Sequence, residues 1–150
     1  MNIEQSLQQS IAHHKAGQLQ DAEQLYRSIL QEEPQHPDAN HNLGVLLKQG
    51  GQAGKALIFF KTALESNPNQ GQFWISYIDA LNHLGRLDAA RNVLEQGRTK
   101  GLKGDAVDQL EVRLGSKAET LPDPTKTQSK VLNVGAILAR AESSGKKGKL

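Results

Sequence analysis

Apolar residues in this chain come as helix-spaced runs separated by short polar breaks. Leu7 and Ile11 lie one turn apart, and after a break at Ala16-Gly17-Gln18 the residues Leu25, Ile29 and Leu30 resume the spacing. That recurrence belongs to an α-helix with one buried face, so residues 3–36 read as a helical hairpin. The same break returns at Gly50-Gly51-Gln52 and Leu84-Gly85-Arg86, which predicts two more hairpins, over 37–70 and 71–104. A glycine at this point suits a helix that ends in a left-handed turn, a conformation glycine adopts without steric cost.

The breaks keep a strict distance. Gly17, Gly51 and Gly85 are each 34 residues apart, as are Ala22, Ala56 and Ala90, the bulky Tyr26, Phe60 and Leu94, and the prolines Pro34 and Pro68. Several columns holding one period without an insertion mean stacked structural repeats. The alanine column fits close approach of paired helices, with the bulky column one turn later filling the space beside it. Pro34 and Pro68 end the second helices, because proline cannot continue the hydrogen-bond ladder, and Pro37 suits a helix start.

The third unit departs from the pattern. Gly97 stands where Ile29 and Ala63 stood, and Leu102 where the prolines stood, so its second helix is expected to end near Thr99 and turn at Lys100-Gly101. Residues 105–115, DAVDQLEVRLG, then read as a short capping helix with Asp105 as N-cap and Ala106, Leu110 and Leu114 along one stripe. Such a cap covers the apolar end of a repeat array. Residues 116–150 read as a flexible basic linker and tail, within which VLNVGAILARAE, 131–142, is apolar enough for a short helix although Gly135 interrupts it.

Leu43-Gly44, then Ala56-x3-Phe60, then Pro68 match the Leu-Gly, Ala, Phe and Pro places of the tetratricopeptide signature, and Trp74 supplies the opening Trp one repeat on. Residues 3–104 thus resemble three tetratricopeptide repeats. The resemblance implies an all-α fold, a right-handed superhelix of antiparallel helix hairpins, whose groove binds a peptide or partner protein and which has no activity of its own. The first two units, AHHKAGQLQDAEQLYRSILQEEPQHPDANHNLGVL, also resemble the N-terminal repeats of bacterial proteins that carry glycosyltransferase, sulfotransferase or methyltransferase domains. An accessory, substrate-orienting role in such a protein is therefore an alternative.

The resemblance places the groove on the first helix of each hairpin. Its positions there fall on Leu7, Gln8, Ile11, His14 and Lys15, then on His41, Asn42, Val45, Lys48 and Gln49, then on Ile75, Ser76, Asp79, Asn82 and His83. Asn42 holds the place of an asparagine that hydrogen-bonds ligand backbone in related repeats, and it also reads as a solvated polar residue. The clamp that grips acidic C-termini in chaperone-binding relatives uses Lys, Asn, Asn, Lys and Arg, whereas those places here hold Leu7, Ile11, Asn42, Gln72 and Ser76. A terminal carboxylate would lack cationic partners there. Trp74 is expected to pack between hairpins, leaving Phe73 as the exposed member of the pair.

Composition narrows the remaining chemistry. There is no cysteine, hence no disulfide framework and no thiolate metal site. His13 and His14 are adjacent, so on a helix they point about 100 degrees apart and cannot share one metal. No P-loop, dinucleotide fingerprint or nucleophile elbow occurs, and the expectation is a non-enzymatic scaffold without cofactor or metal. Residues 1–115 carry 11 Lys/Arg against 13 Asp/Glu, and 116–150 carry 7 against 3. A basic tail could touch nucleic acid or a membrane surface, but without aromatic residues nucleic acid is not the favoured partner. The N-terminus lacks a signal-peptide pattern and no apolar run is long enough to span a bilayer, so the expected location is cytoplasmic. Leu7, Leu25 and Ile29 at the first hairpin suggest an apolar edge through which copies could associate.

Overall fold

Three glycines end three helices in the same way. Gly17, Gly51 and Gly85 have φ of 79°, 81° and 78°, and the amides that follow reach back across the turn. Gln18 N–H donates to His13 C=O at 2.9 Å, Gln52 to Leu47 at 2.8 Å and Arg86 to Leu81 at 2.9 Å. This is the six-to-one bond of a Schellman cap, which satisfies carbonyls that the helix end leaves unpaired.

The structure, a computed structural model, describes residues 2–119, with side chains over 2–115. Seven helices and no strand occur among them: α1 Ile3–Lys15, α2 Leu19–Glu32, α3 Pro37–Gln49, α4 Ala53–Ser66, α5 Gly71–His83, α6 Leu87–Thr99 and α7 Asp105–Glu119. Helices α1 and α2, α3 and α4, and α5 and α6 pack as hairpins, and α2 meets α3 as α4 meets α5. The architecture is an all-α helical-repeat superhelix. The chain divides into a unit over Met1–Glu111 and a second over Val112–Leu150; the groove and core lie in the first.

Local sequence explains the helix starts. Asn2 accepts from Gln5 N–H while the Gln5 side chain accepts from Asn2 N–H, a reciprocal capping box on α1. At α3 the His36 ring takes the cap role, its Nδ1 accepting from Ala39 N–H at 3.1 Å, with Pro37 at the first helical position.

Ala22, Ala56 and Ala90 are fully buried. So are Tyr26 and Phe60, which join Leu7, Ile29, Leu43 and Leu47 in one core cluster. Close packing also explains Gly44: a Cβ there would lie 2.7 Å from Cε1 of Phe60, so the ring rests on α3 where no side chain stands. Gly97 is held the same way, its absent Cβ falling 2.7 Å from Leu102 and 3.1 Å from Trp74.

Four expectations are corrected. The stripe on α7 runs through Val107 and Leu110, both buried, while Ala106 is exposed; a helix turned slightly from the guessed phase still keeps Leu110 inward. The helix also continues past Gly115 to Glu119, since one interior glycine costs only about 1 kcal/mol and Lys117, Ala118 and Glu119 are good helix formers. Phe73 is buried at 3 % exposure beside Trp74, because the ring turns back between α3 and α5 and meets His41. Of the apolar edge expected at the first hairpin, Leu7 and Ile29 are buried, at 5 % and 1 % exposure, and Leu25 is half-buried. The tail and the candidate helix 131–142 lie outside the described residues.

Candidate functional site

A repeat of 34 residues puts equivalent side chains in register along successive first helices. His14, Lys48 and Asn82 share one position, as do Lys15, Gln49 and His83, and Ile11, Val45 and Asp79. Long polar side chains then reach from one first helix to the next. Lys48 Nζ meets Asp79 Oδ2 at 2.7 Å, His41 Nε2 meets Ser76 Oγ at 2.7 Å, and His14 Nε2 meets Gln49 Oε1 at 2.8 Å.

Between α3 and α5 these rungs border a cavity of about 360 Å³, lined by Val45, Lys48, Gln49, Phe60, Ser76, Asp79 and His83. Its walls combine two apolar side chains with donors and acceptors of both kinds. The Lys48–Asp79 pair is about one-third exposed on each side, so it adds at most about 1 kcal/mol to stability. It does keep opposite charges side by side at the cavity wall.

Two histidines stand behind this wall. His14 Nδ1 lies 3.1 Å from Tyr26 Oη, and burial pushes the Tyr26 phenol up to about 12, so it remains a donor at physiological pH. His41 is flanked by the rings of Phe73 and Phe60, with centroids at 4.9 and 5.7 Å. Burial lowers its pKa, opposed by the Asn42 side chain and by Asp38. The unfolded chain then takes up a proton first as pH falls below the ordinary value of about 6.5, so His41's contribution to stability is complete above that pH and is lost below it. Urea unfolding should show stability falling by up to about 1.4 kcal/mol per pH unit between pH 6.5 and the lowered pKa, with that increment absent in His41→Gln. An unchanged slope in the variant would remove the assignment.

The structure thus brings Val45, Lys48, Gln49, Asp79 and His83 to one cavity, with His14 and His41 bonded to its wall. The other predicted residues are not at it. Gln8 is exposed and donates to Glu4 at 3.0 Å, Lys15 is exposed, and Asn42 is half-buried outside the cavity lining. Asn82 is buried at 5 % exposure and its Oδ1 has no hydrogen-bond partner among the described residues. The reason is that Ala80, Leu81 and Asn82 are all buried, and three consecutive residues span more than half of a helix's circumference. Leu7 lies in the core rather than in the groove. Phe60 is the lining residue sequence reasoning missed; the signal was Gly44, whose bare backbone admits the ring.

No group of three or more His, Cys, Asp or Glu side chains that could hold a metal occurs among the described residues. None of the described helices is long and apolar enough to cross a membrane.

A family model for the tetratricopeptide repeat matches residues 13–74 and 49–114. The chain belongs to the tetratricopeptide-repeat family. Among solved structures, the repeat domain of Sgt2 from Aspergillus fumigatus is similar at a TM-score of 0.70 and 18% identity, over 89% of this chain and 91% of that one. The first repeat domain of Spaghetti (RPAP3), bound to the HSP90 peptide SRMEEVD, gives 0.71 and 13%, over 79% and 94%. The TPR2B domain of yeast Sti1, in a pHsp70 complex, gives 0.68 and 17%, over 77% and 97%. No curated protein matches the chain. At these identities the likeness is one of fold; the resemblance to transferase-linked repeats rests on the residues of the first two units alone.

Proposed function

We propose that this tetratricopeptide-repeat protein is a non-enzymatic interaction scaffold that binds a peptide segment of a partner protein between its first helices. The observation that carries this reading is the cavity between α3 and α5, where Val45 and Phe60 form an apolar floor among Lys48, Gln49, Ser76, Asp79 and His83. The fold is not organised around these polar residues, since its core is built from the alanine, leucine and aromatic columns. Structural neighbours that carry an HSP90 peptide or form a pHsp70 complex support the general mode.

The ligand chemistry differs from an acidic C-terminus. Two of the five clamp places are Leu7, which is buried, and Ile11, which packs on the core, and Lys48 is already engaged with Asp79. Affinity capture from the native cell with wild-type protein and with the Lys48→Ala, Gln49→Ala double variant tests the site. A partner held by the groove should bind the variant about tenfold or more weakly, as expected when central contacts are truncated, with the unfolding midpoint little changed. Partners retained at wild-type affinity would place the binding surface elsewhere.

A further inference from the structure

The outer face of α4 departs from those of the other second helices at positions the repeat itself makes comparable. Gln24, Ile58 and Asn92 share one register position, and all three are exposed. The fold takes a polar residue there twice, yet Ile58 stands 60 % exposed. Phe60 reaches the cavity from the same helix, and two residues turn a helix by about 200 degrees, so Ile58 points away from the groove. Beside it Phe59 is half-buried, with the Arg27 guanidinium 5.7 Å from its ring centroid, which extends the apolar surface toward α2. Lys55 departs as well. It stands in the first turn of α4, where α2 has Asp21 and α6 has Asp88, and a cation at that end of a helix opposes the macrodipole. Gly54 next to it is a weak helix former, although an added Cβ would meet nothing within 4 Å. Neither packing nor helix stability accounts for these three residues. Lys55 and Lys61 flank Ile58 at i−3 and i+3, are exposed, and have no ion-pair partner among the described residues.

We propose that the outer face of α4 is a second docking surface, separate from the groove, that takes an acidic segment of a partner protein. An apolar side chain of that segment covers Ile58, and carboxylates on either side of it meet Lys55 and Lys61, which stand about 9 Å apart along the helix axis. The charge pattern makes this lane narrow. Alongside it, α2 carries Asp21, Glu23 and Glu32 against Arg27, so a broad anionic surface such as a lipid bilayer would be repelled next to α4. A single acidic segment laid along α4 avoids those carboxylates. The lysines steer such a segment and fix its register, and Ile58 supplies the apolar area that leaves water.

Substitution toward the neighbouring repeats separates binding from folding. Ile58→Gln takes the character of Gln24, and Lys55→Asp that of Asp21. Together they should leave the urea midpoint equal to that of the wild type or higher, because glutamine is the better helix former and an aspartate suits the first turn. The probe is a peptide blocked at both ends with one leucine set between glutamates, followed on the full chain through the amide resonances of Phe59 and Lys61 on α4 and of Val45 and Gln49 in the groove. It should move the first pair and not the second, with affinity falling as salt is raised. The double variant should bind it about tenfold or more weakly, and so should the wild type when serine replaces the leucine or lysines replace the glutamates. Shifts at Val45 and Gln49 instead would put the peptide in the groove. Preference for phosphatidylserine vesicles over the peptide would make the face a membrane contact, and shifts at Phe59 that grow with protein concentration alone, with a dimer in sedimentation, would assign it to a second copy. Any of these outcomes, or no response to the peptide, overturns the proposal. The groove reading is tested separately by Lys48→Ala with Gln49→Ala, which should leave binding of the peptide at α4 unchanged.

Discussion

Phe60→Ala should be among the most destabilising single changes in the first unit, costing about 3–5 kcal/mol. The ring is 1 % exposed, lies against the bare backbone of Gly44 and stands 5.7 Å from the His41 ring. Its removal leaves a void that two rigid helices cannot collapse to fill. Against a total stability of about 5–15 kcal/mol for a domain, that loss is readable as a large fall in the urea midpoint by circular dichroism. Phe60→Leu should recover more than half of it. Since Phe60 is also the cavity floor, the alanine variant should weaken groove ligands even at temperatures where it stays folded. A loss below about 1 kcal/mol would mean that the ring is not enclosed in this way.

Trp74→Ala should cost a similar amount, about 3–5 kcal/mol from lost packing, but its effect should be local. Trp74 is 5 % exposed, its Nε1–H donates to Pro68 C=O at 2.8 Å, and its ring closes over Gly97. It thereby ties the α4–α5 connection and α6 to one another. In a repeat array each unit is stabilised by its nearest neighbours, so the damage should concentrate in α5 and α6. Hydrogen exchange should accelerate there while α1 and α2 stay protected. Trp74→Phe should restore most of the packing and lose about 1 kcal/mol with the hydrogen bond. Uniform acceleration across all helices would show that the array unfolds as one body.

Much of the architecture was legible because it rests on backbone rules. The left-handed glycines, the buried alanines and the helix start at Pro37 are each dictated by one residue type in one conformation. The candidate site was legible only as a register: the 34-residue spacing placed Val45, Lys48, Gln49, Asp79 and His83 on first helices, but gave no means of telling which would meet. Leu7 and Asn82 occupy equally good positions in the pattern and are buried, because their surroundings are filled by other helices. Phe73 failed for the same reason.

The sequence by itself determined the period, the helix ends, the small and large columns of the core and the family, since each depends on local stereochemistry or on a repeat visible in one dimension. Only the tertiary structure decided that Phe60 reaches the groove past Gly44, that Lys48 meets Asp79, and that His14 and His41 stand behind Gln49 and Ser76. Those partners lie 16, 31 and 35 residues apart. Contacts at such separations depend on how tightly neighbouring helices approach and on which rotamers the packing leaves open, and neither is written in the spacing of residues along the chain.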